Sequence, residues 1–210
     1  MIRVLIADDH AILRGGLKEI LARELHGAVC GEANDAQQVF VQVQNHPWDL
    51  VILDVTMPGR SGLDVLRDLK AARPKLPVLI LSMHPEDQYG KRMLRAGASG
   101  YLEKENAPED LIRAIRKVLA GGRYVSPTLA EKLAVDLGED RGHTLHETLS
   151  DREFEVLRMI ASGKTVSRIA EELHLSVTTV STYRARMLEK MKMDTTADLM
   201  RYAFRNHLVD

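Results

Sequence analysis

The chain has 210 residues, 45% hydrophobic and 28% charged, a composition that fits a folded globular protein and excludes a disordered one. Its single cysteine, Cys30, excludes an internal disulfide framework and any zinc site built from several thiolates. Net charge is −1, with sixteen basic and sixteen acidic side chains in residues 1–120 and ten against nine in 148–210, so a nucleic-acid partner has to be read from local pattern. No apolar run approaches the ~20 residues of a membrane span. The first residues read as a strand rather than a leader, so a cytoplasmic protein is expected.

In chain order, Arg3–Ala7 is a short apolar run ending in Asp8-Asp9. His10–Leu25 carries Ile12, Leu13, Leu17, Ile20 and Leu21 at helical spacing. Ala28–Ala33 reads as a strand with Val29 and Cys30 inward, and Asp35–Gln44 as a helix with Val39, Phe40 and Val43 on one face. Leu50–Asp54 is a continuous apolar run that ends in a carboxylate before the turn Pro58-Gly59. Leu63–Ala72 is helical, with Leu63, Leu66 and Leu69 toward the sheet. Pro77–Ser82 ends in a hydroxyl, and a helix follows from Gln88 to Ala96. Gly100–Lys104 ends in an ammonium, and Pro108–Ala120 shows a stripe of Leu111, Ile112, Ile115, Val118 and Leu119. Alternation of this kind predicts an α/β doubly wound parallel five-stranded sheet over residues 1–120.

Such a sheet brings Asp8, Asp9, Asp54, Ser82 and Lys104 to the C-terminal ends of the strands, where open α/β sheets place their ligand crevice. Three close carboxylates with one lysine imply a bound cation, and oxygen ligands suit Mg²⁺. His10, beside Asp9, is set aside as a ligand because Mg²⁺ prefers oxygen.

Residues 121–147 are expected to form a linker. Ser126 caps a short helix at Pro127, and Gly138–His143 is polar and aperiodic. Residues 148–210 read as a small all-α four-helix domain. Ser150 and Glu153 form a capping box ahead of Phe154, Val156, Leu157 and Ile160. A second helix spans Val166–Leu173, His174-Leu175 is the turn, Ser176 caps a third helix to about Met191, and Thr195–Asn206 is the fourth. Two short helices around a tight turn make a helix-turn-helix candidate.

The Asp8-Asp9 pair, Asp54 followed by Met57-Pro58-Gly59, Ser82 and Lys104 resemble the receiver domain of two-component response regulators. The block Leu149-Ser-Asp-Arg-Glu … Thr179-Val180-Ser181-Thr182-Tyr183 … Lys190-Met191 resembles the LuxR-type helix-turn-helix. Together they are similar to the NarL/FixJ class of response regulator. The resemblance implies a flavodoxin-like receiver in which Asp54 is the phosphoacceptor and Asp8, Asp9, Asp54 and the Thr56 carbonyl hold Mg²⁺. Lys104 and Ser82 would contact phosphoryl oxygens, and Tyr101 would be the switch aromatic. It also implies a sensor histidine kinase as phosphodonor, double-stranded DNA as target, a homodimer when active, and no turnover enzyme activity. One departure is Glu105, where many receivers follow the lysine with proline.

On a helical wheel from Ser176, Val177, Val180, Met187, Leu188 and Met191 share the packing face. Thr178, Thr179, Thr182, Ala185 and Arg186 lie opposite, with Ser181 and Lys190 on the flanks. The expected DNA contacts are these, with Tyr183 and Arg184. Arg184 falls near the apolar face and either reaches DNA or pairs with an acid such as Glu153. On the fourth helix, Leu199, Met200, Ala203 and Phe204 form an apolar stripe, with Arg201, Tyr202 and Arg205 outward. Two rivals stand beside this reading. A Mg²⁺ phosphohydrolase would carry its nucleophile on the first strand in an Asp-x-Asp pattern, which is lacking here. A constitutive DNA binder with a decayed receiver would have lost site residues.

Overall fold

A computed structural model describes residues 1–57, 60–138, 145–206 and 208–209. The expected Pro58-Gly59 turn and most of the Gly138–His143 stretch lie outside the described residues. The chain divides into two compact units, Met1–Asp140 and Arg141–Asp210.

The first unit alternates strands and helices: β1 Arg3–Ala7, α1 Ala11–Glu24, β2 Val29–Ala33, α2 Ala36–Asn45, β3 Leu50–Asp54, α3 Gly62–Ala72, β4 Val78–Ser82, α4 Glu86–Arg95, β5 Gly100–Glu103 and α5 Ala107–Leu119. A short 3₁₀ turn, Lys104–Asn106, joins β5 to α5. The five strands are parallel in the order β2-β1-β3-β4-β5. β3 and β4 are buried at every position, as central strands covered on both faces must be. Val4, Ile6, Leu50, Ile52, Leu79 and Leu81 point to one face, where Leu17 and Leu21 of α1 and Leu111, Ile115 and Val118 of α5 cover them. The alternate positions Leu5, Val51, Leu53, Val78 and Ile80 are equally buried on the opposite face. In this register Asp54 pairs with Leu81, and Ser82 with Glu103. The chemistry-bearing residues therefore finish their strands together.

Two expectations in this unit need correction. Ile12 is 93% exposed. Of the apolar positions read on that helix, only Leu17 and Leu21 are fully buried. Val29 is 42% exposed, because β2 is the outer strand beside β1 and only its partner face is covered. Cys30 does pack against the core.

The stretch expected as a linker begins as part of this unit. Tyr124 lies alongside β5, donating its N–H to Ser99 O at 3.0 Å and accepting the Tyr101 N–H at 3.1 Å. α6, Pro127–Gly138, follows. Ser126 caps it, its Oγ accepting the Leu129 N–H at 3.1 Å.

The second unit opens with a 3₁₀ turn, Leu145–Thr148, then α7 Asp151–Ala161, α8 Val166–Glu172, α9 Val177–Met191 and α10 Thr196–Arg205. α7 begins in a complete Ser150/Glu153 capping box, and α10 in another formed by Thr195 and Asp198. Just past the end of α8, His174 has a left-handed φ of 53°, and the Leu175 N–H donates back to Ala170 O at 2.8 Å. That return bond sets the tight turn into α9. Leu149, Phe154, Val156, Leu157, Ile160, Ile169, Val180, Met187, Met191, Leu199 and Ala203 form the core of the unit.

Candidate functional site

At the C-terminal end of the sheet, β1 delivers Asp8, β3 delivers Asp54, β4 delivers Ser82, and the turn after β5 delivers Lys104. Asp8, Asp54 and Ser82 are each at most 1% exposed. Lys104 Nζ lies 2.7 Å from Asp8 Oδ2 and 2.8 Å from Asp54 Oδ2. Burial opposes the charge on Lys104. The hydrogen bonds and negative charge of Asp54 and Asp8 outweigh it and hold its pKa above the ordinary lysine value. Thr56 orients Asp54, donating its N–H to Oδ1 at 3.0 Å and its hydroxyl to the same oxygen at 2.8 Å. Ser82 Oγ accepts the His84 N–H at 3.0 Å.

Asp9 and His10 complete the cluster. His10 Nδ1 is 2.9 Å from Asp9 Oδ1 and 3.1 Å from Asp8 Oδ1. Ligand atoms of Asp8, Asp9, His10 and Asp54 all fall within 4.8 Å of one another. Asp8 Oδ2 and Asp9 Oδ1 are shielded from water without a hydrogen bond of ordinary geometry, although each has a cationic or imidazole neighbour. One ammonium against three carboxylates leaves the cluster short of positive charge, which a divalent cation makes up. The residues present thus fit such an ion.

Tyr101, expected as a switch residue, is 1% exposed, and its hydroxyl donates to the His84 carbonyl at 2.8 Å. Glu105 sits in the 3₁₀ turn and does not prevent Lys104 from reaching Asp54. One supporting residue was missed. Arg14 donates to the Asp8 carbonyl at 2.7 Å and to Glu32 at 2.9 Å, pinning the end of β1 to β2. Nothing local marks that role, which depends on the pairing of Ile6 with Glu32.

In the second unit, α9 exposes Thr178, Thr182, Ala185 and Arg186, while Thr179, Ser181, Tyr183 and Arg184 are partly buried. Ser176 Oγ accepts the Thr179 N–H at 3.0 Å, and the Thr182 hydroxyl donates to Thr178 O at 2.9 Å. Glu153 takes Lys190, at 2.7 Å, as its ion-pair partner, where Arg184 was the candidate. Burial resists the Glu153 charge. The bonds from Lys190 and Ser150 prevail, and its carboxyl is held below the usual range. Lys190 thus ties α9 to the capped start of α7, while its side chain stays 42% exposed. On α10, Leu199 and Ala203 are buried, but Phe204 is 50% exposed. Tyr202 turns toward the chain start of the unit, where its hydroxyl lies 2.9 Å from His146 Nδ1. The expected inward Phe204 and outward Tyr202 are thus exchanged.

An acid cluster closed by a lysine on a five-stranded parallel sheet, followed by a helix-turn-helix unit, defines a signal-receiving module joined to a DNA-reading module. Residues 4–116 match the response regulator receiver domain, and residues 147–203 match the luxR family of bacterial regulatory proteins. The chain belongs to the response regulators that carry a LuxR-type DNA-binding domain, and it acts in transcription regulation. It is 36% identical to the response regulator GacA of Pseudomonas aeruginosa, with all of this chain and 99% of that protein aligned. It is 34% identical to the response regulator UvrY of Escherichia coli K12, with 99% and 96% covered. Among solved structures it resembles RcsB of Salmonella enterica serovar Typhimurium, bound to promoter rprA in the presence of phosphomimetic BeF3⁻. That match has a TM-score of 0.60 and 27% identity, covering 96% of this chain and 98% of that one. A structure of two RcsB dimers bound to two parallel DNAs also matches, with TM-score 0.60 and 26% identity over 96% and 97%. Among the described residues no helix is long and apolar enough to cross a membrane.

Proposed function

We propose that Asp54 accepts a phosphoryl group from a phosphohistidine of a sensor kinase, and that this modification controls DNA binding by the second unit. The observation that carries the reading is Lys104 Nζ bridging Asp8 and Asp54 inside a buried acid cluster. An Asp54 carboxylate oxygen attacks phosphorus, the P–N bond breaks, and the electron pair leaves on the imidazole. Asp54 becomes an acyl phosphate. Thr56 fixes the attacking carboxylate, Lys104 moves from carboxylate to phosphoryl oxygen, and the Ser82 hydroxyl donates to another. Asp8, Asp9, Asp54 and the Thr56 carbonyl are the residues that would hold Mg²⁺, whose charge offsets that of the phosphoryl oxygens. The receiver is an acceptor, not a turnover enzyme.

On the DNA side, Thr178, Thr182 and Arg186 present short hydroxyls and one guanidinium from the open face of α9. That suits close approach to a major groove. A single unit of this size covers little DNA, so two copies on adjacent half-sites are the expected active form. The exposed Phe204, with Arg201 and Arg205 beside it, is the surface such a pair would share.

Intact-mass measurement with acetyl phosphate and Mg²⁺ tests the receiver chemistry. One added phosphoryl group on the wild type, and none on Asp54→Asn, is expected. Equal labelling of the two proteins overturns the assignment.

A further inference from the structure

The segment leaving the receiver is tied back onto the site by a short chain of bonds. The Ser126 N–H, at the start of α6, donates to Glu86 Oε1 at 3.0 Å. Glu86 is the first residue of α4, and its own N–H donates to Glu103 Oε1 at 2.7 Å. Glu103 directly precedes Lys104. From the other side, the His84 N–H is held by Ser82 Oγ and the His84 carbonyl by the Tyr101 hydroxyl. The His84 ring stacks on Tyr89 of α4, with centroids 4.4 Å apart and an interplanar angle of 17°. Glu86 therefore sits between the two groups that would bind a phosphoryl group, Ser82 and Lys104, and it carries α6 on its carboxylate.

Packing adds one further hold. Leu129 of α6 is 2% exposed and lies over Gly90, where an added Cβ would come within 2.6 Å of Leu129 Cδ2. A side chain at Gly90 would have to displace the Leu129 methyl, so the glycine leaves room for this contact.

We propose that α6 is a latch on α4, closed through Glu86 and Leu129 in the unmodified receiver and opened when Asp54 is phosphorylated. The proposal rests on the phosphoacceptor reading above. When Lys104 swings from Asp54 and Asp8 to a phosphoryl oxygen, the end of β5 moves and Glu103 with it. When Ser82 donates to the phosphoryl group, it draws the His84 backbone toward the site. The N–H of Glu86 loses its acceptor, the first turn of α4 shifts, and the Glu86–Ser126 bond breaks. Opening adds the twelve residues of α6 to the tether between the units. A longer tether lowers the concentration at which one unit meets the other.

The test is hydrogen exchange of peptides spanning Pro127–Gly138 in the full chain, with Asp54 occupancy followed by intact mass. Acetyl phosphate with Mg²⁺ is expected to speed their exchange roughly ten-fold, the size set by one hydrogen bond to a charged acceptor. Glu86→Ala and Leu129→Ala are expected to exchange at the fast rate without phosphodonor, and Asp54 is still labelled in both. Glu86→Gln keeps an acceptor oxygen and should restore slow exchange. Peptides from β3 report folding, and Leu129→Ala decides the matter where Glu86→Ala disturbs them. Unchanged protection of α6 at full Asp54 labelling overturns the latch, as does wild-type protection in both alanine variants. Absence of labelling at Asp54 counts against the site reading alone.

Discussion

Single residues here do their work through what they leave charged. Lys190→Met would leave the Glu153 carboxylate, whose side chain is 3% exposed, with its Ser150 bonds but without its cationic partner. The expected loss is about 1–3 kcal/mol in the second unit, read by calorimetry. Operator affinity at matched salt should fall only as far as the unit unfolds. An affinity loss without a stability loss would make Lys190 a DNA contact as well as the partner of Glu153. Arg186→Ala is the contrasting case. Its side chain is exposed, so stability should shift by no more than ~0.5 kcal/mol while operator binding weakens. Acid acts on the same pair. The Glu153 carboxyl titrates below its ordinary value of 4.5 in the folded unit. Its contribution is complete above that value and is lost as pH falls through the lowered one. Melting of the second unit should drop in that window, and the Lys190→Met variant should show a shallower drop.

At the scale of elements, strand ends and caps were legible because their signals are local. Asp54 closes an unbroken apolar run, and Ser150 stands three residues before Glu153. Each is read from neighbours in sequence. What escaped was set by contacts between elements. Ile12 fits the helical spacing of α1 as well as Leu17 does, yet α5 covers only the latter's side. The roles of Lys190 and Arg184 could not be separated on a wheel, because Glu153 approaches from another helix. Gly62 shows the same dependence. A Cβ there would lie 2.3 Å from Val55 Cα, backbone that cannot swing aside. Gly62→Ala should therefore cost at least ~1–3 kcal/mol by thermal unfolding of the first unit. Wild-type stability in that variant would mean that α3 enters at a different angle after β3.

The whole molecule places its sensing and reading chemistry in separate units, and each should work alone. Residues 148–210 should bind DNA without a phosphodonor, and a segment inert in gel shift at low salt would contradict the division of labour. The residues joining the units have a second consequence. A parallel sheet has two outer strands, and an outer strand offers its N–H and C=O groups to any other chain. β2 is five residues long, and its Glu32 is engaged by Arg14 and Lys18. β5 is lined by Tyr124, whose carbonyl takes up the Tyr101 N–H. The start of the tether is thus a cover against self-association. A receiver cut at residue 120 should pair through β5 and aggregate with rising concentration, whereas one cut at residue 140 should sediment as a monomer. Identical sedimentation of the two fragments would show that the β5 rim needs no cover.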